Sequence, residues 1–230
     1  DWTDGSDSIE AMAKAAMKNG LKYIVITDHT KRLAMTHGLD EKRIVKQWAE
    51  IDRINSQFAI RNSQFKILKG TECDILKDGS LDLPDAVLSK LDVVGASVHS
   101  FFNLTEKEQT ERIKRAMSNP NVDILFHPTG RILNRREPYM VDMEALIRVA
   151  KETGTIMEID ALERLDLKDE HIRKCVEAGV KMSIDSDAHS PAHFAVLEYG
   201  IAQARRGWAT KNDIINAWPA ERMLDYLKEK

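Results

Sequence analysis

Cysteine is scarce in this chain, with Cys73 and Cys175 the only two in 230 residues. They form no CxxC pair, which excludes a disulfide framework and a thiolate zinc knuckle and fits a reducing cytoplasm. Aromatic residues make up 6%. No apolar run approaches the ~18 residues of a membrane span, and no signal peptide is visible. Charge of one sign is also lacking. The net charge of −3 excludes a domain that coats nucleic acid by bulk charge, so any DNA contact must be local. There is no Gly-rich phosphate loop and no Gly-x-Ser-x-Gly nucleophile elbow. Internal repeats, low-complexity runs and interdomain linkers are missing too. A length of 230 residues suffices for one core, and the whole chain, 1–230, reads as one domain.

What is there is a recurring pattern of apolar, β-branched runs that end in a histidine or an acid. Val180 to Ile184 leads into Asp185-Ser186-Asp187-Ala188-His189. Four earlier runs have the same form, ending at Asp28-His29, Glu72, His99 and His127. Helical stretches separate them. Asp7 or Ser8 caps a helix over 9–18, Asp40 one to residue 60, and Thr105 one over 106–117. Further helices are expected over 84–91, 142–152, 168–178 and 192–205, with two short pieces after Thr210. The strands are expected at 23–27, 65–72, 93–98, 122–126, 155–159 and 181–184. Strand and helix therefore alternate throughout, which predicts an α/β fold with a parallel sheet and helices outside. In such sheets the chemistry sits at the C-terminal strand ends, where the five histidine and acid clusters fall.

One histidine after a strand is ordinarily a hydrogen-bonded structural residue. Four at corresponding strand ends (His29, His99, His127 and His189) are hard to explain by packing. Glu72 and Asp187 add the carboxylates that zinc, manganese or iron accept beside imidazole. Asp28 and Asp74 neighbour these ligands as orienting partners or plain structural groups. Cys73 points away from Glu72 into the core. His171 reads as a solvated helix residue, His193 as a helix-start residue and His37 as an exposed loop residue. Asp185 and Ser186 read as strand-end residues. Arg131, Arg135 and Arg136 form a basic patch after His127, suited either to solvent or to phosphate. The long loop over 128–141 has a length common in functional loops.

The stretches Thr3-Asp4-Gly5, Ile26-Thr27-Asp28-His29, Gly70-Thr71-Glu72-Cys73-Asp74-Ile75, Ala96-Ser97-Val98-His99-Ser100, His127-Pro128-Thr129-Gly130-Arg131, Arg135-Arg136-Glu137-Pro138-Tyr139, Asp187-Ala188-His189 and Ala204-Arg205-Arg206-Gly207-Trp208 together resemble the polymerase and histidinol phosphatase (PHP) domain. The arginine-containing stretches resemble most the PHP domain at the C-terminus of family X DNA polymerases. The resemblance implies a distorted (β/α)7 TIM-like barrel holding up to three divalent metal ions, zinc, manganese or iron. It implies one metal on Glu72, His99 and His127, another on Asp4, His29 and His189, and a third sharing Glu72 with Asp187. It implies phosphoester hydrolysis by metal-activated water, with Glu72, Asp187 and Arg131 in catalytic positions and no protein nucleophile. In the polymerase branch the activity is a manganese-dependent 3′→5′ exonuclease on DNA ends, with a polymerase region upstream and no membrane partner. Arg131, Arg135 and Arg136 would then bind substrate.

Two departures stand out. The family's opening His-x-His is not in the chain, so the first barrel strand is expected upstream of Asp1. In Glu158-Ile159-Asp160-Ala161-Leu162-Glu163-Arg164 an Asp stands at 160 where the family has Asn. The rival readings are a small-metabolite phosphatase of the histidinol-phosphatase type and a non-catalytic module that positions DNA.

Overall fold

The computed structural model describes residues 1–61 and 63–229. Six strands form where the β-branched runs lie: β1 (Tyr23–Ile26), β2 (Lys66–Asp74), β3 (Val93–Ser97), β4 (Ile124–Leu125), β5 (Ile156–Asp160) and β6 (Met182–Asp185). They pair in chain order, every neighbour parallel. Parallel neighbours need long crossovers, and helices supply them. The crossovers carry α2 (Glu41–Ile60), α3 (Asp85–Leu88), α4 (Glu106–Met117), α5 (Met143–Thr153) and α6 (Asp169–Ala178); α1 (Ile9–Lys18) precedes β1, and α7 (Leu197–Arg206) and α8 (Ala220–Glu229) follow β6. The sheet curls into a half-barrel, the distorted TIM-like form of the expected fold. Among the described residues β1 and β6 are its two edges.

The helix ends follow local chemistry. Ser8 and Asp40 accept backbone N–H groups at the starts of α1 and α2. Thr105 and Glu108 cap α4 reciprocally, satisfying two N–H groups that the first turn leaves free. Gly179 ends α6 at φ 76°, in the left-handed region where a Cβ is costly.

The structure departs from the sequence expectation at several boundaries. β2 runs on through Asp74, because Asp74 still pairs with Ser97 of β3. The regular part of β4 shrinks to two residues, although Asp123 and Phe126 still donate N–H groups to β3 carbonyls, at 2.8 and 2.9 Å. α3 stops at Leu88. The expected helix over 192–205 is split into a 3-10 turn at Pro191–Val196 followed by α7.

Alternation along the strands sorts two faces. Leu68, Val93, Ile124, Phe126 and Ile156 face inward and meet Ile215, Trp218, Met223 and Leu227 from the C-terminal segment. The opposite set, including Ala96, Leu125, Met157, Ile159 and Met182, packs outside with Ile113, Leu146 and Ile172 of the crossover helices. Close packing fixes Gly95: a Cβ there would lie 1.9 Å from the Phe126 ring. The inward parity carried to the strand ends delivers Glu72, Asp74, His99, Glu158, Asp160, Asp185 and Asp187. Between β1 and β6 a cavity of about 1300 Å³ runs from Trp218 and Met223 up to Glu72, His127 and His189.

Candidate metal centre

Glu72, two residues before the end of β2, is 7% exposed, and three imidazoles converge on it. His127 Nε2 lies 2.7 Å and His99 Nε2 3.0 Å from Glu72 Oε1, while His29 Nδ1 lies 3.3 Å from Oε2. The rings stand edge to face, with centroids 4.8 Å apart for His29 and His99 and 5.3 Å for His99 and His127. A second group adjoins. Asp4 Oδ2 lies 3.4 Å from both His29 Nε2 and His189 Nε2. Asp4 comes from the N-terminal loop, which is pinned when the Ser6 N–H donates to the His189 carbonyl at 2.8 Å. Asp187 stands beside His189, with Oδ1 3.8 Å from Nδ1.

The structure thus brings Asp4, His29, Glu72, His99, His127, Asp187 and His189 to one place. Two sets have ligand atoms close enough to share an ion: Asp4, His29 and His189, and His29, Glu72 and His99. His29 belongs to both and joins them. The donors fit divalent metal ions. His29 Nδ1 and His99 Nε2 are buried and make no hydrogen bond, though both face Glu72. Nitrogens that converge on a carboxylate without hydrogen-bond geometry suit a shared cation, and the mix of imidazole and carboxylate suits zinc, manganese or iron.

Charge interactions are strong here. Burial would raise Glu72, but His29 and His99 hold it well below the usual carboxylate range. Burial would lower His99, yet Glu72 and Asp74 carry it to about 9. The hydrogen bond with Asp4 raises His189 to about 9. His127 is the exception, because burial pushes it down to about 4 and keeps it neutral. Asp187 is raised by burial and by the charge of Glu72.

Backbone geometry marks the same place. His127 and Asp187 have φ of 29° and 44°, a region that non-glycine residues occupy mainly where surrounding structure compels it.

Partners support the candidate ligands. Asp74 Oδ1 lies 3.3 Å from His99 Nδ1. The His127 N–H donates to buried Glu158, and the His189 N–H donates to His193 Nδ1 at 3.2 Å. Asp28 accepts from Thr3 and Gln47 instead. His37 lies exposed in the loop after β1. Cys73 is fully buried in the core, as its strand parity requires. His171 is corrected: it is half-buried rather than solvated, and burial lowers its pKa.

The arginines divide. Arg131 donates through Nε to the Arg164 carbonyl at 2.7 Å and through Nη2 to the Leu165 carbonyl, so it braces the loop after β5. Arg136 donates to the Gly130 carbonyl at 2.7 Å. Arg135 is exposed and paired with Glu163 at 3.0 Å. Sequence reasoning assigned no role to Arg164. Its guanidinium lies between Asp160, 3.0 Å from Nε, and Asp187, 3.9 Å away. The spacing of Asp160 and Arg164 four apart after a strand was the available signal.

Comparison with known proteins agrees with this geometry. The chain is 42% identical over 228 residues to the "DNA polymerase/3′-5′ exonuclease PolX" of Bacillus subtilis (strain 168), which covers 99% of the chain but 39% of that protein. It therefore spans about two fifths of that relative's length. It is 30% identical to a "probable phosphatase" of Thermoanaerobacter sp. (strain X514), over 97% of the chain and 89% of that protein. A "probable phosphatase" of Syntrophotalea carbinolica is 25% identical over 96% of the chain and 89% of its own length. A family model described as "PHP domain" matches residues 2–126, and the chain belongs to the PHP domain family.

Proposed function

We propose that this chain is a divalent-metal-dependent phosphoesterase that removes nucleotides from DNA 3′ ends. The observation that carries hydrolysis is the convergence of His29, His99 and His127 on buried Glu72. The DNA reading is supported by the 42% identity to a relative named for 3′-5′ exonuclease activity and by the arginines after His127.

The family resemblance assigns Glu72, His99 and His127 to one ion, Asp4, His29 and His189 to another, and Asp187 with Glu72 to a third; the donor geometry supports the second set and pairs Glu72 and His99 with His29. Ions held there supply positive charge against a phosphoryl group and acidify water. The chain's own residues do the rest. Asp74 turns the His99 ring toward Glu72. Glu158 fixes the His127 backbone at its unusual φ. Arg131 contributes charge near the strand ends while bracing the loop that presents Arg164. Arg135 and Arg136 line the path of neighbouring phosphates.

The second reading, a phosphatase for small phosphate esters, is favoured by relatives named probable phosphatases that match 97% of the chain. The assay that separates them measures mononucleotide release from single-stranded DNA with manganese against phosphate release from histidinol phosphate. DNA degradation with a steep salt dependence, a log–log slope near −0.7 per phosphate neutralised, supports the exonuclease. Arg135→Ala and Arg136→Ala then flatten that slope, and Arg131→Ala lowers turnover. Robust histidinol-phosphate cleavage without DNA degradation assigns the small-ester phosphatase.

A further inference from the structure

We propose that Phe101 is a stacking platform for a nucleobase of the substrate strand, carried on the loop that follows His99. This inference rests on the DNA reading above and adds a residue that reads the base rather than the phosphate.

Phe101 follows His99 by two residues, on the loop after β3. It is 40% exposed and sits at φ 57°. A phenylalanine in the left-handed region is a rare outlier, and this one remains among the exposed large apolar residues. Its neighbour Phe102 shows what a structural aromatic does here. Phe102 is half-buried, stacked on Tyr139 at 6.2 Å and 22°, with the Arg136 guanidinium 4.3 Å from its ring centre. The core is therefore served by Phe102, while the backbone turn at Phe101 holds the second ring out to solvent.

That ring is rigidly mounted. Arg112, almost wholly buried, donates to three carbonyls. Nη1 reaches the Ser100 carbonyl and Nε the Leu76 carbonyl, both at 2.8 Å, and Nη2 reaches that of Ile75. One guanidinium thus ties the loop after β3 to the loop after β2, fixing Ser100 just before Phe101 and Leu76 just before Lys77. Lys77 is exposed, and its Nζ lies 5.6 Å from the Phe101 ring centre; Arg112 Cζ lies 5.7 Å away. A half-exposed aromatic ring with an exposed lysine over it, mounted two residues after His99, is a combination that suits single strands: the ring takes a base in place of the lysine, and the displaced cation takes the adjoining phosphate. A small ester without a base gains nothing from Phe101.

The test compares a single-stranded oligothymidylate with the same strand carrying abasic tetrahydrofuran residues at its two 3′-terminal positions, with manganese. Wild type should show a KM about tenfold or more lower for the base-bearing end, the size expected of one base–aromatic stack. Phe101→Leu, which keeps apolar bulk without a ring face, should erase the preference, and Phe101→Trp should restore it. A 2-aminopurine at the 3′ end, with calcium replacing manganese, gives a readout apart from turnover. Its fluorescence should be quenched by wild type and by Phe101→Trp but not by Phe101→Leu. Equal treatment of both ends by wild type, or an unaltered preference in Phe101→Leu, overturns the platform and leaves the exonuclease reading standing. Cleavage of histidinol phosphate with no degradation of either strand overturns the DNA reading, and the platform falls with it.

Discussion

The two halves of the candidate metal centre are built differently. The inner half is Glu72 with His99 and His127, whose side chains are 9%, 12% and 4% exposed. Two of its members are set by strand parity, and the third by a backbone turn at the end of a strand. Glu72 lies within β2, His99 continues the inward parity of β3, and His127 follows β4. The outer half is Asp4 with His29 and His189. There Asp4 and His189 are 34% and 33% exposed, and Asp4 hangs on a loop held by a few hydrogen bonds. The inner half is therefore held chiefly by strand register and is the more buried of the two. The outer half depends on loop closure. Low dielectric strengthens charge interactions in the first, and solvent screening reduces the cost of losing one in the second.

That contrast is testable by substitution. Glu72→Gln removes the charge shared by three imidazoles, so turnover should fall by at least about 10³-fold, with the circular dichroism spectrum unchanged. Wild-type turnover together with wild-type metal content would break the account. Next in size, Asp74→Asn should weaken metal affinity about 10–100-fold by loosening His99, read by competition with a chelating dye. Asp4→Asn should cost less than Glu72→Gln in turnover and should lower metal stoichiometry at the outer group first. If Asp4→Asn proved as damaging as Glu72→Gln, the inner and outer halves would be a single unit.

The parts legible in sequence are those the strands dictate. Apolar runs ending in His29, Glu72, His99 and Asp187 announced both the parallel sheet and the cluster, because a strand's parity and its C-terminal end fix where the last side chain points; His127, next to inward-facing Phe126, is turned in by its backbone at φ 29° instead. Cys73 followed from the same rule. The parts set by loops were less legible. Nothing in the spacing of Arg131 says that its donors meet the carbonyls of residues 164 and 165, since that contact joins segments 33 and 34 residues apart. Arg164 was only half hidden: its local pairing with Asp160 four residues earlier could be read, whereas its approach to Asp187 could not. The proximity of Asp4 came from the family resemblance, because a loop residue has no periodicity to read. Helix boundaries near Pro191 shifted because proline fixes its own φ without dictating whether a 3-10 turn or an α-helix follows.

The smallest expected effect concerns pH. Without ions, Glu72 and Asp4 hold His99 and His189 up at about 9 against an ordinary 6.5. Raised values mean these protonated pairs stabilise the metal-free fold fully below about 6.5 and lose that contribution as pH rises through about 9. Metal binding requires the same histidines deprotonated. The gain in Tm on adding zinc over a chelated sample should therefore grow from pH 6.5 to 9.5. A gain that stays flat across that window would mean that protons and ions do not compete for these histidines.

Anomalous diffraction at the zinc or manganese edge, from crystals grown with each metal, is the most direct test of the metal centre. It should place an ion with Glu72 oxygen and the His99 and His127 nitrogens about 2.0–2.3 Å away, and a second among Asp4, His29 and His189. Ions bound elsewhere, with Glu72 and its three imidazoles bare, would contradict the metal centre and the function proposed from it.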